Sequence, residues 1–598
     1  MCGIVGYVGK NNVTEVLIKG LKSLEYRGYD SSGIAVHTGA HLVVRKKAGR
    51  LSKLEETLRE SEILGHCGIG HTRWATHGAA TDENAHPFVS EYTRFAVVHN
   101  GIITNYRAIK NLLLKRGVML RSDTDSEVIA HLLDLYYTGD TLSTICQSVK
   151  MLEGSFALGI LAVYEPNTLY GVRKDSPLIV GKGDGENWIC SDISALSEEC
   201  GSVAFPKDDV IVRLTDHSVN AYDTMRRETY LPFCPHTVSL ETNEPRRVDS
   251  YMLAEIREVP DSLVRTLEEY PEGRLAELLR EASEEICVLG CGSAYHAGLT
   301  FSTAMREIAG VRVHEYIASE FLTERYVENE NALFIAISQS GETADTLQAV
   351  KRAKRHGARV LAVCNVATSS LIRLADECIL TRCGTEKAVA ATKSYSAQVA
   401  ALFRLCLQYA DIYEKMNKTK LAKYLAELND LPRKARQALT KEDEAKKLAQ
   451  TIKDAHALYC LGKGADYYAA KEGSLKIKEV SYLFSEAYPS GELKHGTLAL
   501  MERGVCALFL ATDPALAEKS ASSIAEVSCR GASAFAITTE NLQDSFGKST
   551  ALLLPDTIPV FSPVVSSVAL QLIAYYVGTL RGCDVDRPRN LAKSVTVE

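Results

Sequence analysis

Cysteine stands directly behind the initiator methionine in MCGIVGYVG, at a position where chains usually fray. Removal of Met1 would leave Cys2 with a free α-amino group titrating near ~7.7–8.0, a general base for its own thiol. Equally, Cys2 could be a small hydrophobe opening a buried strand, and the opening alone leaves both readings standing. Further on, ALFIAIS runs into SQSGETADT, which sets Ser338, Gln339, Ser340 and Thr343 where a strand hands over to a helix. Small hydroxyls and backbone N–H groups at a helix start suit a phosphate, although a plain N-cap uses the same residue types. The carboxyl end of a parallel strand is where open α/β sheets bind ligands, which favours the phosphate. No lysine follows as in GxxxxGK[ST], so the spacing points to a phosphorylated small molecule rather than a nucleotide. In KEGSLKIKEV, Glu472, Lys476 and Glu479 share one helix face, and that spacing alone predicts a solvated salt-bridge stripe. GELKHG sets Lys494 and His495 between glycines; a loop histidine can move protons near neutral pH, while an isolated one is more often simply exposed. The tail DRPRNLAKSVTVE reads by itself as a frayed end with Lys593 as a solvated charge.

The elements that must carry these residues fall into two textures. Up to about residue 235, short alternating runs such as FAVVHNGII and FALGILAVY predict antiparallel sheet, with helices such as the one in SDTDSEVIAHLLDLYY. PFCPHTVSLETNEPRRVDS is polar and proline-bearing, and residues 236–250 read as a linker. Beyond it, apolar strands alternate with amphipathic helices, the pattern of parallel α/β units. This half also repeats itself. LGCGSAYHA at Leu289 matches LGKGADYYA at Leu461, ALFIAIS at Ala332 matches ALFLATD at Ala507, and HGARVLAV around Gly357 matches RGASAFAI around Gly531. Nearly the same separation each time defines two related lobes, 251–430 and 431–590, followed by a tail over 591–598.

Composition narrows the function classes. The 598 residues are too many for one core, and 46% apolar with 24% charged residues describes an ordinary globular chain. The net charge of −7 comes without a basic block, which argues against a nucleic-acid partner. Sixteen scattered cysteines form neither a disulfide framework nor a zinc-type CxxC pair, so reduced thiols in the cytoplasm and no metal are expected. The N-terminus lacks a signal-peptide pattern. The apolar stretch 557–580 contains Pro559, Pro563 and Gln571 and predicts a loop feeding a buried helix, not a membrane span.

Together, MCGIVGYVG, EYRGYDSSGIAV, HTRWATHG, HNGIITNY and SDTDSEVIAHL resemble a class II glutamine amidotransferase domain of the N-terminal-nucleophile type. SQSGETADT, AVAATKSYSAQ, SGELKHG and DRPRNLAKSVTVE, in that order, resemble paired sugar isomerase (SIS) lobes. The arrangement is similar to the glutamine–fructose-6-phosphate aminotransferase (isomerizing) family across essentially the whole chain. The resemblance implies an α+β glutaminase domain, an αββα sandwich over 1–235, followed by two α/β parallel-sheet SIS lobes. It implies glutamine and fructose 6-phosphate as substrates, ammonia passed through an internal channel, no cofactor, and a homodimer.

By the same resemblance, Cys2 attacks the glutamine side-chain amide, Asn100 and Gly101 supply the oxyanion donors, and Arg73 clamps the substrate carboxylate. Asp125 takes the α-ammonium, Thr76 and His77 line the pocket, Arg27 lies beside the nucleophile, and Trp74 gates the channel. In the sugar half, Ser338, Gln339, Ser340 and Thr343 hold the phosphate, with Ser293, Val389, Ala390 and Ala592 as further sugar contacts. Lys593 forms the Schiff base, and His495, from the neighbouring subunit, opens the ring. Glu479 shuttles the proton between C1 and C2, Lys476 assists it, and Glu472 orders the site. Two departures from the family pattern bear on sugar affinity: CGSAY, with Ala294, stands for CGTSY, and Thr497 stands for proline after GELKHG.

Rival readings are distinguishable. Amidophosphoribosyltransferase and asparagine synthetase would share the first half, but no acidic-pair phosphoribosyl loop and no SGGxDS loop follows residue 250. A non-catalytic sugar-phosphate sensor, or a sugar-amine deglycase, would account for the lobes but not for the glutaminase motifs.

Overall fold

The computed structural model describes residues 2–25, 28–61, 63–74, 77–236, 249–281, 285–325 and 331–596. Arg27, Thr76 and nearly all of the expected linker lie outside them. Two compact units result, Met1–Glu244 with Ser594–Glu598, and Pro245–Lys593.

The first unit stacks two antiparallel sheets. Strand Gly3–Gly9 lies inside the eight-stranded sheet, paired to Cys67–Arg73 on one side and Glu186–Cys190 on the other. Its apolar alternation is buried on both faces, because Ile4 and Val8 point to the second sheet while Val5 and Tyr7 point to helices. Helix Val13–Leu24 covers the outer face: Asn12 caps it by accepting from Thr14 N–H at 3.2 Å, and Val13, Leu17, Leu21 and Leu24 form its buried stripe. The seven-stranded sheet pairs Phe95–Ile103 with Gly154–Ala162, and helices Tyr106–Lys115, Glu127–Tyr136 and Thr141–Val149 pack on its far side. The order helix, sheet, sheet, helix is the expected αββα sandwich.

The second unit holds two five-stranded parallel sheets with the same strand order, which is the internal repeat in three dimensions. In the first lobe, strand Ile286–Gly290 pairs with Val313–Ile317 on one side and Leu333–Ser338 on the other. In the second, Ala457–Gly462 sits likewise between Ser485–Pro489 and Val505–Ala511. Chain order reverses at each of these central strands, so a crevice opens at their carboxyl ends. One hydrophobic core runs through both lobes, from Met252 to Val585. Helix Lys418–Leu439 runs through the expected lobe boundary at 430. The apolar stretch ends in helix Ser562–Leu580, which packs on Ala465–Ser481 and Glu442–Ile452, and 94% of its apolar window is buried in the protein. It is long and apolar enough to cross a membrane because it is a core helix, apolar all round.

Candidate functional site

Residue 2 sits where strand Gly3–Gly9 begins, so the sheet fixes its backbone and leaves its side chain only half-buried. The Cys2 thiol accepts from Trp74 N–H at 3.3 Å, placing it over the end of strand Cys67–Arg73. Burial pushes the thiol up, while the chain's terminal ammonium, the Trp74 N–H and Arg73 pull it down. Asn100 Nδ2 donates to the Cys2 carbonyl at 3.0 Å. Gly101 has φ +124°, and a Cβ there would lie 2.0 Å from the Ser155 carbonyl oxygen, so only glycine fits the strand directly after Asn100. Asp125 accepts from Ile103 N–H at 2.8 Å, which ties it to the same strand. Arg73 donates to the carbonyls of His77, Gly78 (3.1 Å) and Ala79 (3.2 Å), holding the loop that carries His77. The Trp74 ring meets Tyr29 edge-on, with centroids 5.6 Å apart. Cys2, Arg73, Trp74, His77, Asn100, Gly101 and Asp125 thus converge on one end of the sandwich, within the first unit.

The second site forms within the other unit. At the end of strand Leu333–Ser338, Ser338 Oγ accepts from Gly341 N–H at 3.0 Å and pairs with Thr343 Oγ1 at 3.0 Å; Glu342 N–H donates to Ser340 Oγ at 3.2 Å. Thr343 occupies the N-cap position of helix Ala344–Arg355, yet its side chain caps no helix N–H. Thr343 therefore does not act as a plain N-cap, its hydroxyl being paired with Ser338 instead. The second lobe closes its equivalent crevice with its own carboxylates. Asp466 accepts from Thr512 N–H (2.7 Å) and Oγ1 (2.6 Å), and Asp513 caps Ala515 N–H at 2.9 Å. Burial pushes Asp466 up to about 6.

The expected solvated stripe on helix Ala465–Ser481 is corrected by the fold. Glu472 and Lys476 are each 1% exposed, because this helix packs between helix Ser293–Ala304 of the first lobe and helix Ser562–Leu580. Lys476 Nζ reaches Glu479 at 2.6 Å, Ser293 Oγ at 3.0 Å and Glu472 at 3.3 Å. Glu472 also accepts from Ser293 Oγ (2.8 Å) and pairs with His296 Nδ1 (2.8 Å). Burial alone would discharge these groups, but the two carboxylates hold Lys476 charged, and Lys476 and His296 hold Glu472 below its ordinary range. Ser293 is thereby fixed from two sides.

Nor is Lys593 a solvated charge. Its side chain is 4% exposed and pairs with fully buried Glu386. Glu386 accepts from Thr392 N–H (2.9 Å), Ser394 N–H (3.1 Å) and Ser394 Oγ (2.6 Å); against the effect of burial, Lys593 and these donors hold it at about 2. Glu255 accepts from the N–H groups of Lys387 and Ala388, and burial together with the Glu386 charge pushes it up to about 8. Val389 N–H donates to the Asp586 carbonyl at 3.0 Å, so a sugar contact from Val389 has to use its carbonyl. Ala390 is buried and Ala592 half-buried, whereas His495 is exposed on the turn Glu492–His495. Sequence reading passed over Glu386, Glu255 and His296. Only His296, inside LGCGSAYHA, lay in a stretch singled out for another reason.

Comparison with known proteins bears on both sites. The sequence profile of the glutamine amidotransferase domain matches residues 71–198, and that of the SIS domain matches 278–406 and 451–581. Proteins named glutamine–fructose-6-phosphate aminotransferase [isomerizing] from Clostridium tetani and Caldanaerobacter subterraneus are each 43% identical, over 609 and 612 residues, covering 100% of both chains. Among solved structures, the C-terminal domain of glucosamine-fructose-6-phosphate aminotransferase from Francisella tularensis matches with 34% identity and a TM-score of 0.55. It covers 57% of this chain and 99% of its own.

Proposed function

We propose residue roles for a chain that belongs to the glutamine–fructose-6-phosphate aminotransferase (isomerizing) family, whose members it matches from end to end. The reaction takes glutamine and fructose 6-phosphate to glutamate and glucosamine 6-phosphate. The sensor and deglycase alternatives leave the amidotransferase match at 71–198 without a purpose.

In the glutaminase half, the free α-amino group of Cys2 takes the thiol proton and the thiolate attacks the amide carbonyl. Negative charge then develops on the carbonyl oxygen, facing Asn100 Nδ2 and Gly101 N–H. One such donor is worth about 3–4 kcal/mol in a water-poor site. Arg73 takes the substrate carboxylate in a charge-assisted fork and Asp125 the α-ammonium. His77, Thr76 and Arg27 complete the pocket. Collapse of the intermediate releases ammonia, and water cleaves the thioester to glutamate. Trp74 guards the ammonia from solvent, where it would be protonated and lost as a nucleophile.

In the isomerase half, Ser338, Gln339, Ser340 and Thr343 hold the phosphate, with Ser293 and the backbone at Val389, Ala390 and Ala592 along the sugar. His495 of a second copy opens the ring, which makes the homodimer the active form. Lys593 leaves Glu386, gives a proton to the departing C2 oxygen and attacks C2 as the free amine, forming a protonated imine with loss of water. Ammonia displaces the lysine, and Glu479 carries the proton from C1 to C2, with Lys476 and Glu472 keeping it in place. No organic cofactor enters, since the imine forms on the chain itself. Sixteen free thiols suit a reducing compartment, the cytoplasm.

The observation that carries this reading is the approach of Asn100 Nδ2 to the Cys2 carbonyl, which puts an oxyanion donor beside the one thiol that can become N-terminal. The test is product formation from both substrates by protein whose free Cys2 terminus is confirmed by mass, beside Cys2→Ala. Wild type should make glucosamine 6-phosphate, and the variant should lose glutamine use while still binding fructose 6-phosphate. Wild-type protein that binds the sugar but makes no amino sugar would refute it.

A further inference from the structure

A carboxamide serves an oxyanion only if it presents nitrogen, and Asn100 could turn its amide over to present oxygen instead. The structure contains a group that forbids this. Behind Asn100, its Oδ1 lies 3.0 Å from Nε2 of His71, and the same Nε2 lies 3.0 Å from the His99 carbonyl oxygen. Two acceptors facing one ring nitrogen require that nitrogen to carry the hydrogen, which assigns the Nε2–H tautomer of a neutral imidazole. The ring cannot swing away. It is completely buried within strand Cys67–Arg73 and stacks on His86, with centroids 4.0 Å apart and planes 15° from parallel. His86 is itself held, since its Nδ1 accepts from His99 N–H at 3.2 Å. His99 Nδ1 pairs with Ser126 Oγ at 2.8 Å, and Ser126 donates to Asp125 at 3.3 Å. Burial, with the nearby His99 and Arg73, keeps His71 uncharged, down at about 3.

We propose that His71 is a positioning residue for the glutamine reaction: its Nε2–H grips Asn100 Oδ1 and commits Asn100 Nδ2 to the oxyanion. The inference rests on Asn100 being an oxyanion donor. An inverted amide would set oxygen against the Cys2 carbonyl and NH₂ against the His71 N–H, so both contacts would turn repulsive at once. Through Ser126 and His99, the same network joins Asp125, which receives the substrate's α-ammonium, to the oxyanion donor at the other end of the substrate.

Full-length protein with a free Cys2 terminus is compared with His71→Leu, His71→Gln and Asn100→Ala. Leucine fills the space without a donor, whereas the glutamine amide reaches the place of the imidazole Nε2. Three quantities are read: kcat and KM for glutamate release, and the rate at which iodoacetamide alkylates Cys2, a reaction that forms no oxyanion. Asn100→Ala should lose about 10²–10³-fold in kcat, and His71→Leu about 10–100-fold, with KM within about twofold. Alkylation should be unchanged in both, and His71→Gln should recover most of the lost kcat. Asn100→Ala near wild type would overturn the oxyanion assignment and the inference with it. An intact Asn100 effect beside a wild-type kcat for His71→Leu would overturn the inference alone. So would parallel losses of kcat and alkylation, which mark general disruption. Should His71→Leu fail to fold, His71→Asn replaces it, because its shorter amide stops at the Nδ1 position.

Discussion

Acid should weaken the glutaminase unit above the pH at which ordinary carboxylates titrate, and the buried histidines are the reason. His71 holds at about 3 in the folded protein against 6.5 for an ordinary histidine, so the unfolded chain binds the extra proton. A depressed folded value contributes stability in full above 6.5, and that contribution is lost as pH falls through the window from 6.5 to 3. For one such histidine the loss is about 2 kcal/mol at pH 5. Burial lowers His86 and His99 in the same sense, so both add to that loss. The His71 share alone is a sizeable part of the stability of an ordinary domain, about 5–15 kcal/mol. Glu127, held at about 2 by His131 and the N–H groups of Arg121 and Ser122 against its burial, acts between 4.5 and 2, below pH 5. Both tryptophans, Trp74 and Trp188, lie in the first unit, so their fluorescence reads this unit alone. Urea titrations followed by tryptophan emission from pH 8 to pH 5 give the free energy at each pH. His71→Gln, which cannot take up the proton, should remove about 2 kcal/mol of the pH-dependent loss at pH 5. A stability that stays level from pH 8 to pH 5, or an unaltered pH dependence in His71→Gln, would refute the assignment of a neutral buried cluster.

Two further predictions concern the other unit. Lys476→Met strands Glu472 and Glu479 without their shared cation and should cost about 3–5 kcal/mol, seen as a lowered Tm of the α/β unit by circular dichroism; an unchanged Tm would show the triad to be solvated. Gly341 has φ +67°, and a Cβ there would lie 2.2 Å from Ser369 Oγ. Gly341→Ala should therefore distort the hydroxyl loop and weaken fructose 6-phosphate binding in calorimetry by about tenfold or more, with glutamate release retained. Wild-type sugar affinity would remove this loop from the phosphate site.

Much of the molecule was determined locally. The alternating runs specify antiparallel strands, the repeat specifies two lobes of one topology, and the order of Cys2, HTRWATHG, HNG and SDTD brings the first site together. Such signals survive in one dimension because strand and helix periods and turn chemistry depend on neighbours in the chain. What tertiary structure decided is the environment of charge. Glu472, Lys476 and Glu479 have the spacing of a solvent-facing stripe, and only packing between two distant helices turns them inward. Lys593 looks like a terminal cation until Glu386, more than two hundred residues earlier, is found against it. His71, His86 and His99 carry no motif that says they cluster, because His71 and His99 stand on strands of different sheets and His86 on the loop between them. Whether a polar group is desolvated, and so which proton it keeps, is a property of what surrounds it in space. A sequence read along its length contains the partners without their adjacency.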